Sequence, residues 1–160
     1  MQDEKPFFRA AGTGPGVVCI HSNASSSSQW RAPMERLSGQ FHLLAPDSLN
    51  AGKSRLWQQN QPVTLADEAG FLEPVFAAAG DPFRMVGHSY GAAVALIAAL
   101  ARPGRLRALA LYEPTLFSLL EEETPGHEAA QGIRDVVSNA APRLTDMNAL
   151  KPPTISLTTG

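Results

Sequence analysis

The sequence predicts an α/β fold: a mostly parallel sheet with helices on both faces. Three observations predict it. Apolar strand runs alternate with helical runs from Phe7 as far as Glu113, the order that places a parallel sheet between helices. Val17-Val18-Cys19-Ile20 is apolar at every position, as a central parallel strand is when helices cover both its faces. Phe83–Ala101 (FRMVGHSYGAAVALIAALA) joins an apolar strand to an apolar, Ala-rich helix through a tight Gly-x-Ser-x-Gly turn.

The elements follow in order. Met1–Lys5 is polar and reads as a frayed end. Phe7–Ala11 predicts a short edge strand, and residues 12–16, Gly-Thr-Gly-Pro-Gly, a turn. After the strand at Val17–Ile20 comes His21-Ser22-Asn23 and a serine tract. Ser27 or Ser28 is placed to cap a helix that begins near Gln29 and Trp30 and carries Trp30, Met34 and Leu37 at helical spacing. Phe41–Ala45 is the next strand, ended by Pro46 and Asp47. The loop over 47–60 holds Gly52-Lys53-Ser54, but Asp47 stands where a phosphate-binding loop needs its first glycine, so that reading is rejected. Asp47 reads as a turn carboxylate that bonds backbone N–H groups. Thr64–Ala79 predicts one amphipathic helix with Leu65, Ala69, Leu72 and Phe76 on a face and Asp67 and Glu68 in its N-terminal turn. The strand at Phe83 and the helix over Ala92–Ala101 follow, then a strand over Leu106–Tyr112. Beyond Glu113 the character changes: an apolar run, the acidic Glu121-Glu122-Glu123, a helical pattern over His127–Asn139 and a final strand over Thr154–Thr158. The whole is expected as a single domain, 1–160, with its core over about 7–113.

The chemistry is expected at the turn. A strand that reverses directly into a helix brings backbones close together, so its flanks must be small; Gly87 and Gly91 meet that need. The residue at the apex is held in a strained conformation with its side chain exposed. This is a nucleophile elbow, and it predicts Ser89 as an attacking hydroxyl.

Composition excludes other classes. The chain has 160 residues, 44% hydrophobic and 18% charged, with net charge -2 and no block of like charge, so neither nucleic acid nor membrane is an expected partner. The single cysteine, Cys19, lies in a core strand and fits a small buried residue in a reducing cytoplasm, the expected location. The N-terminus has no apolar stretch fit for a signal peptide, and Ala92–Ala101 is too short to span a bilayer. No His, Cys and Asp cluster has metal-ligand spacing, and no metal or other cofactor is expected.

Four segments in order resemble the α/β-hydrolase superfamily: His21-Ser22-Asn23, Trp30, the Pro46-Asp47-x-x-Asn50-x-Gly52-x-Ser54 loop and Gly87-His88-Ser89-Tyr90-Gly91. The resemblance runs from about Gly14 to Glu113 and more weakly to Gly160. It implies that Ser89 is the nucleophile and that the backbone N–H groups of Asn23 and Tyr90 form an oxyanion hole. It implies that His21 braces the oxyanion loop, that His88 points away from the site, and that a reduced cap covers about 115–149. Ser22 departs from the family's usual Gly, and its Cβ narrows the allowed backbone angles. Asn50 replaces another Gly, but Asn tolerates positive φ.

A serine hydrolase also needs a base and an acid to orient it. In this superfamily they follow the serine, the acid after the strand that succeeds the cap and the His after the last strand. The sequence therefore looks like a hydrolase cut before two of its three catalytic residues. His127 alone among histidines follows Ser89, and reads as a solvated surface residue. Glu113 ends the strand after the elbow, where some members carry their acid; the alternative is an ordinary loop carboxylate. Two functions follow. One is a serine hydrolase acting on a small-molecule ester or related acyl substrate through an acyl-enzyme. The motifs do not choose among esterase, perhydrolase, thioesterase and C–C hydrolase chemistry, while dehalogenation, which uses Asp at the apex, is disfavoured by Ser89. The other is a non-catalytic module that keeps the pocket to bind a ligand or partner. Oligomeric state is left open.

Overall fold

The computed structural model describes residues 5–58, 60–116, 126, 128 and 131. The chain divides into two compact units, Met1–Thr115 and Leu116–Gly160. The first carries every strand and helix discussed below. The cap over 115–149, the helix from His127 and the strand over 154–158 lie essentially outside the described residues.

The first unit holds a five-stranded sheet in the order β1-β3-β2-β4-β5. Strand β1 (Phe8–Ala11) is an edge strand antiparallel to β3 (His42–Pro46), and β2 (Gly16–Ile20), β4 (Phe83–His88) and β5 (Leu106–Tyr112) run parallel with β3. The all-apolar β2 lies between β3 and β4 and is buried along its whole length, as its composition demands. Alternation along β2 and β4 divides the core. Val18, Ile20, Phe83 and Met85 face helices α2 (Leu65–Phe71), α3 (Glu73–Ala79) and α4 (Tyr90–Leu100), while Val17 and Cys19 face α1 (Arg31–Leu37) with Met34. Helices thus cover both faces of the sheet. Burial pushes the Cys19 thiol up to about 12, which leaves it a core residue and no nucleophile.

The helices are α1 (Arg31–Leu37), α2 (Leu65–Phe71), α3 (Glu73–Ala79) and α4 (Tyr90–Leu100). Two expectations need correction. The helix over Thr64–Ala79 is broken at Leu72, and Pro74 explains the break: without an N–H it cannot bond back into the preceding turn, so it opens a second helix at its first turn instead. Thr64 caps α2 in a reciprocal pair with Asp67. The other correction concerns the serine tract. A 3-10 turn over Ser27–Trp30 precedes α1, and Ser26 caps it by accepting from the Ser28 N–H. Ser27 is buried instead, with its N–H donating to Asp47 Oδ1 at 2.6 Å. Leu37, at the same helical spacing as Trp30 and Met34, is exposed.

No helix among the described residues is long and apolar enough to cross a membrane.

Candidate active site

Ser89 sits between β4 and α4 at φ 54, ψ -118, a positive-φ conformation that L-residues with side chains rarely adopt. The surroundings hold it there. Its N–H donates to the Tyr112 carbonyl at 2.9 Å, and its own carbonyl accepts from Ala92 N at 3.0 Å and Ala93 N at 3.3 Å. The flanking glycines admit no substitute: a Cβ on Gly87 would stand 2.4 Å from the Gly91 carbonyl oxygen, and one on Gly91 2.4 Å from those of Ile20 and His21. Although Ser89 occupies the N-cap position of α4, its hydroxyl does not cap the helix. That hydroxyl, half-buried, hydrogen-bonds no group among the described residues.

Next to it, Tyr90 opens α4. Tyr90 and Asn23 both line a cavity of about 470 Å³, with Glu68 and the turn over Ser48–Gly52 in its other walls. The elements that carry them are the C-terminal ends of β2 and β4, where parallel sheets gather their sites. Asn23 turns the chain out of β2. Its Oδ1 accepts from the Ala24 N–H at 3.0 Å, and Ala24 takes φ 53 to make the bend.

His21 braces this turn from the buried side. Its Nε2 is 3.0 Å from the Ser48 N–H, which can only donate, so Nε2 accepts and Nδ1–H donates to the Ser22 carbonyl at 2.7 Å. Burial holds its pKa below the ordinary value, against smaller raising effects from the Ser22 carbonyl and Asp47. With both nitrogens committed, His21 is a neutral brace and is not free to act as base. Asp47 works the same loop as its position implied. It is buried, and accepts from the N–H groups of Ser27 and, at 2.8 Å, Lys53. Burial raises its carboxyl and these hydrogen bonds more than offset that, leaving it below the usual range. Asn50 does take positive φ, at 61°, and Gly52 takes 54° with Asp47 filling the space where a Cβ would stand.

His88 and Glu113 come together behind the elbow and away from the cavity. His88 Nε2 lies 3.6 Å from Glu113 Oε2, and Nδ1 lies 3.0 Å from Gln29 Nε2. Glu113 itself is exposed and at φ 48. No imidazole among the described residues hydrogen-bonds Ser89, and His127 lies outside them.

Two residues at the site escaped the sequence reading. Gln29 connects Ser22 to His88, partners that lie 7 and 59 residues away, and nothing local announces that. Glu68 was legible: it stands three residues after Leu65 and four before Leu72, on the apolar stripe of its helix. It is 2% exposed, and its Oε2 accepts from the Leu49 N–H at 3.1 Å.

The family model for the alpha/beta hydrolase family matches residues 17–157. A haloalkane dehalogenase of Agrobacterium fabrum is 35% identical over 106 residues, which make up 66% of this chain and 34% of that protein. Lipase LipV of Mycobacterium tuberculosis is 34% identical over 110 residues, 68% of this chain and 41% of the lipase. Among solved structures, an alpha/beta hydrolase from Sphaerobacter thermophilus superposes with a TM-score of 0.61 at 28% identity, over 68% of this chain and 41% of that one. The chain therefore spans about a third to two fifths of the length of these relatives.

Proposed function

The chain belongs to the alpha/beta hydrolase family, and from that premise we propose that it carries the nucleophile and oxyanion hole of a serine hydrolase acting on an ester or related acyl compound. Ser89 Oγ attacks the carbonyl carbon and gives its proton to a base. The carbonyl oxygen, now negative, takes hydrogen bonds from the N–H groups of Asn23 and Tyr90. The carbon–oxygen bond to the leaving group then breaks, the alcohol departs with that proton, and an acyl group stays on Ser89 until water removes it. The base lies outside the described residues.

One observation carries the reading. The residue in the strained apex conformation is a serine whose hydroxyl is spent neither on capping α4 nor on any described neighbour. A structural turn has no need of either feature. The two residues expected to donate to a carbonyl oxygen, Asn23 and Tyr90, wall one cavity, and Ser89, next to Tyr90 in the chain, is not itself in its lining. The relatives named above include a lipase, whose name is that of an ester-cleaving enzyme.

The test is labelling of the purified chain with a fluorophosphonate, which reacts with activated serines. Labelling is expected in the native chain and absent in Ser89→Ala. A folded native chain that stays unlabelled overturns the proposal. The absence of an imidazole at Ser89 among the described residues favours a second reading, a module that keeps the cavity to bind a ligand. That reading predicts ligand binding unchanged in Ser89→Ala and no labelling of either chain.

A further inference from the structure

The turn that carries Asn23 is held on its other side by an arrangement that no feature of the elbow requires. Ser22 N–H can only donate. Gln29 Oε1 lies 3.0 Å from it and 2.9 Å from Ser22 Oγ, so the amide oxygen of Gln29 faces Ser22 and accepts from both. The amide NH2 must then face outward, where it meets His88 Nδ1 at 3.0 Å. An amide NH2 donates and cannot accept, so Nδ1 of His88 carries the lone pair and the ring proton sits on Nε2. Nε2–H in turn faces Glu113 Oε2 at 3.6 Å, and the ring lies against Tyr112 with centroids 5.0 Å apart. One backbone N–H thus orients the Gln29 amide and, through it, assigns the His88 tautomer.

Ser22 is the residue at which the sequence departs from the glycine its resemblance implies, and here that departure gains a use. The side chain adds a second donor to Gln29, and the Ser22 carbonyl is already taken by His21 Nδ1–H. All three polar groups of Ser22 are thus engaged, the carbonyl by His21 and the N–H and hydroxyl by Gln29.

We propose that Gln29 is a positioning residue of this site: it fixes the Ser22–Asn23 turn, and with it the Asn23 N–H, while His88 Nδ1, accepting from its NH2, keeps its amide from turning over. The catalytic meaning of this rests on the reading of Asn23 as an oxyanion donor.

The experiment pairs nitrogen-15 NMR of the full chain with the rate of fluorophosphonate labelling. In the native chain the His88 ring signals are expected to be those of an unprotonated Nδ1 and a protonated Nε2. In Gln29→Ala the Ser22 amide signal moves, the His88 tautomer preference collapses, and labelling slows by about tenfold, less than direct removal of an oxyanion donor would cause. Gln29→Glu is the discriminating variant. Its carboxylate still accepts from Ser22 but cannot donate to His88, so the tautomer preference at Nδ1 reverses: the ring signals switch while labelling returns to near the native rate. A residue that merely filled space would produce no such switch. A native His88 protonated at Nδ1 alone, a Ser22 amide indifferent to Gln29→Ala, or labelling unchanged in that variant overturns the proposal. If the native chain does not label at all, the hydrolase reading falls by itself, and the Ser22 and ring signals alone decide whether Gln29 fixes the turn.

Discussion

Glu68 is a carboxyl group in a place built for an apolar side chain. It sits on the buried stripe of α2, and its polar partners are the Leu49 N–H and the Tyr90 hydroxyl. Burial pushes the carboxyl up from the ordinary 4.5 to about 6, more than these hydrogen bonds lower it. Burial and the nearby Glu68 charge also push Tyr90 up to about 12, so its hydroxyl stays protonated and donates. The raised value has a definite sign for stability. Between 4.5 and 6 the folded chain keeps a proton that the unfolded chain has released, so stability falls as pH rises through that window. Above it the full penalty is present, on the order of 2 kcal/mol. Glu68→Gln retains an acceptor for Leu49 and a partner for Tyr90 without the charge. Urea denaturation is expected to find the variant close to the native chain at pH 4 and more stable by up to about 2 kcal/mol at pH 7.5. A difference that is the same at both values would mean that the buried carboxyl does not titrate as its surroundings dictate. The sequence showed this acid on an apolar stripe, but its nearness to the helix N-terminus offered a simpler explanation. Only the approach of the Ser48–Leu49 backbone makes it part of the cavity wall.

At the scale of elements, legibility followed how local the determining interactions are. The apolar run in β2 was readable because burial on both faces marks each position, and the strand over Leu106–Tyr112 because Pro103-Gly104 and Glu113-Pro114 bound an apolar run. The elbow was readable because the glycines answer a steric need that the motif itself creates. What was not readable came from competition. Pro74 overrode the amphipathic pattern that ran through it, and Ser27 was taken from capping by Asp47, twenty residues away in sequence. The same distinction predicts how two helical glycines respond to alanine. Gly91 lies on α4 where it meets the end of β2, and the atoms a Cβ would strike are backbone carbonyl oxygens that cannot rotate aside. Gly91→Ala is expected to push α4 from β2, destabilise the chain by roughly 1–3 kcal/mol and abolish labelling at Ser89 by displacing Tyr90. Gly70, on α2, has nothing within 4 Å of its Cβ position. There alanine only restrains the unfolded chain and improves helix propensity, so Gly70→Ala should gain about 0.5–1 kcal/mol and label normally. Thermal melts of the two variants with their labelling rates check both. Equal effects would mean that the contact with β2 does not set the position of the elbow.

Across the sheet of the described residues, buried packing is divided unequally between the faces. On one, Phe76 and Phe83 stack 5.6 Å apart among Ile20, Leu72, Val75, Met85 and Val94, all essentially without exposure. On the other, the buried cluster is smaller, and Trp30, Phe41 and Val86 surround an apolar groove of about 330 Å³ that reaches Ala108 and Ala110 on β5. β5 pairs only with β4 among the described residues, and most of its side chains are exposed. A side chain with neighbours on every side leaves a cavity when it is removed, and one bordering a groove leaves space that water already reaches. Phe76→Ala is therefore expected to cost about 3–5 kcal/mol, and Val86→Ala, on the half-buried side of β4, about 1 kcal/mol or less. The same asymmetry orders local opening. The amides of β2, enclosed between β3 and β4, should exchange with solvent only on global unfolding, and those of β5 should exchange earliest of the strands paired in parallel. Hydrogen exchange on the native chain reads that order directly. Because the Tyr112 carbonyl at the end of β5 holds the Ser89 N–H, early opening of β5 is also the route by which the apex serine would lose its strained conformation. Amides of β5 that outlast those of β2 would show instead that the groove side carries the stability, and would reverse the order expected for the two substitutions.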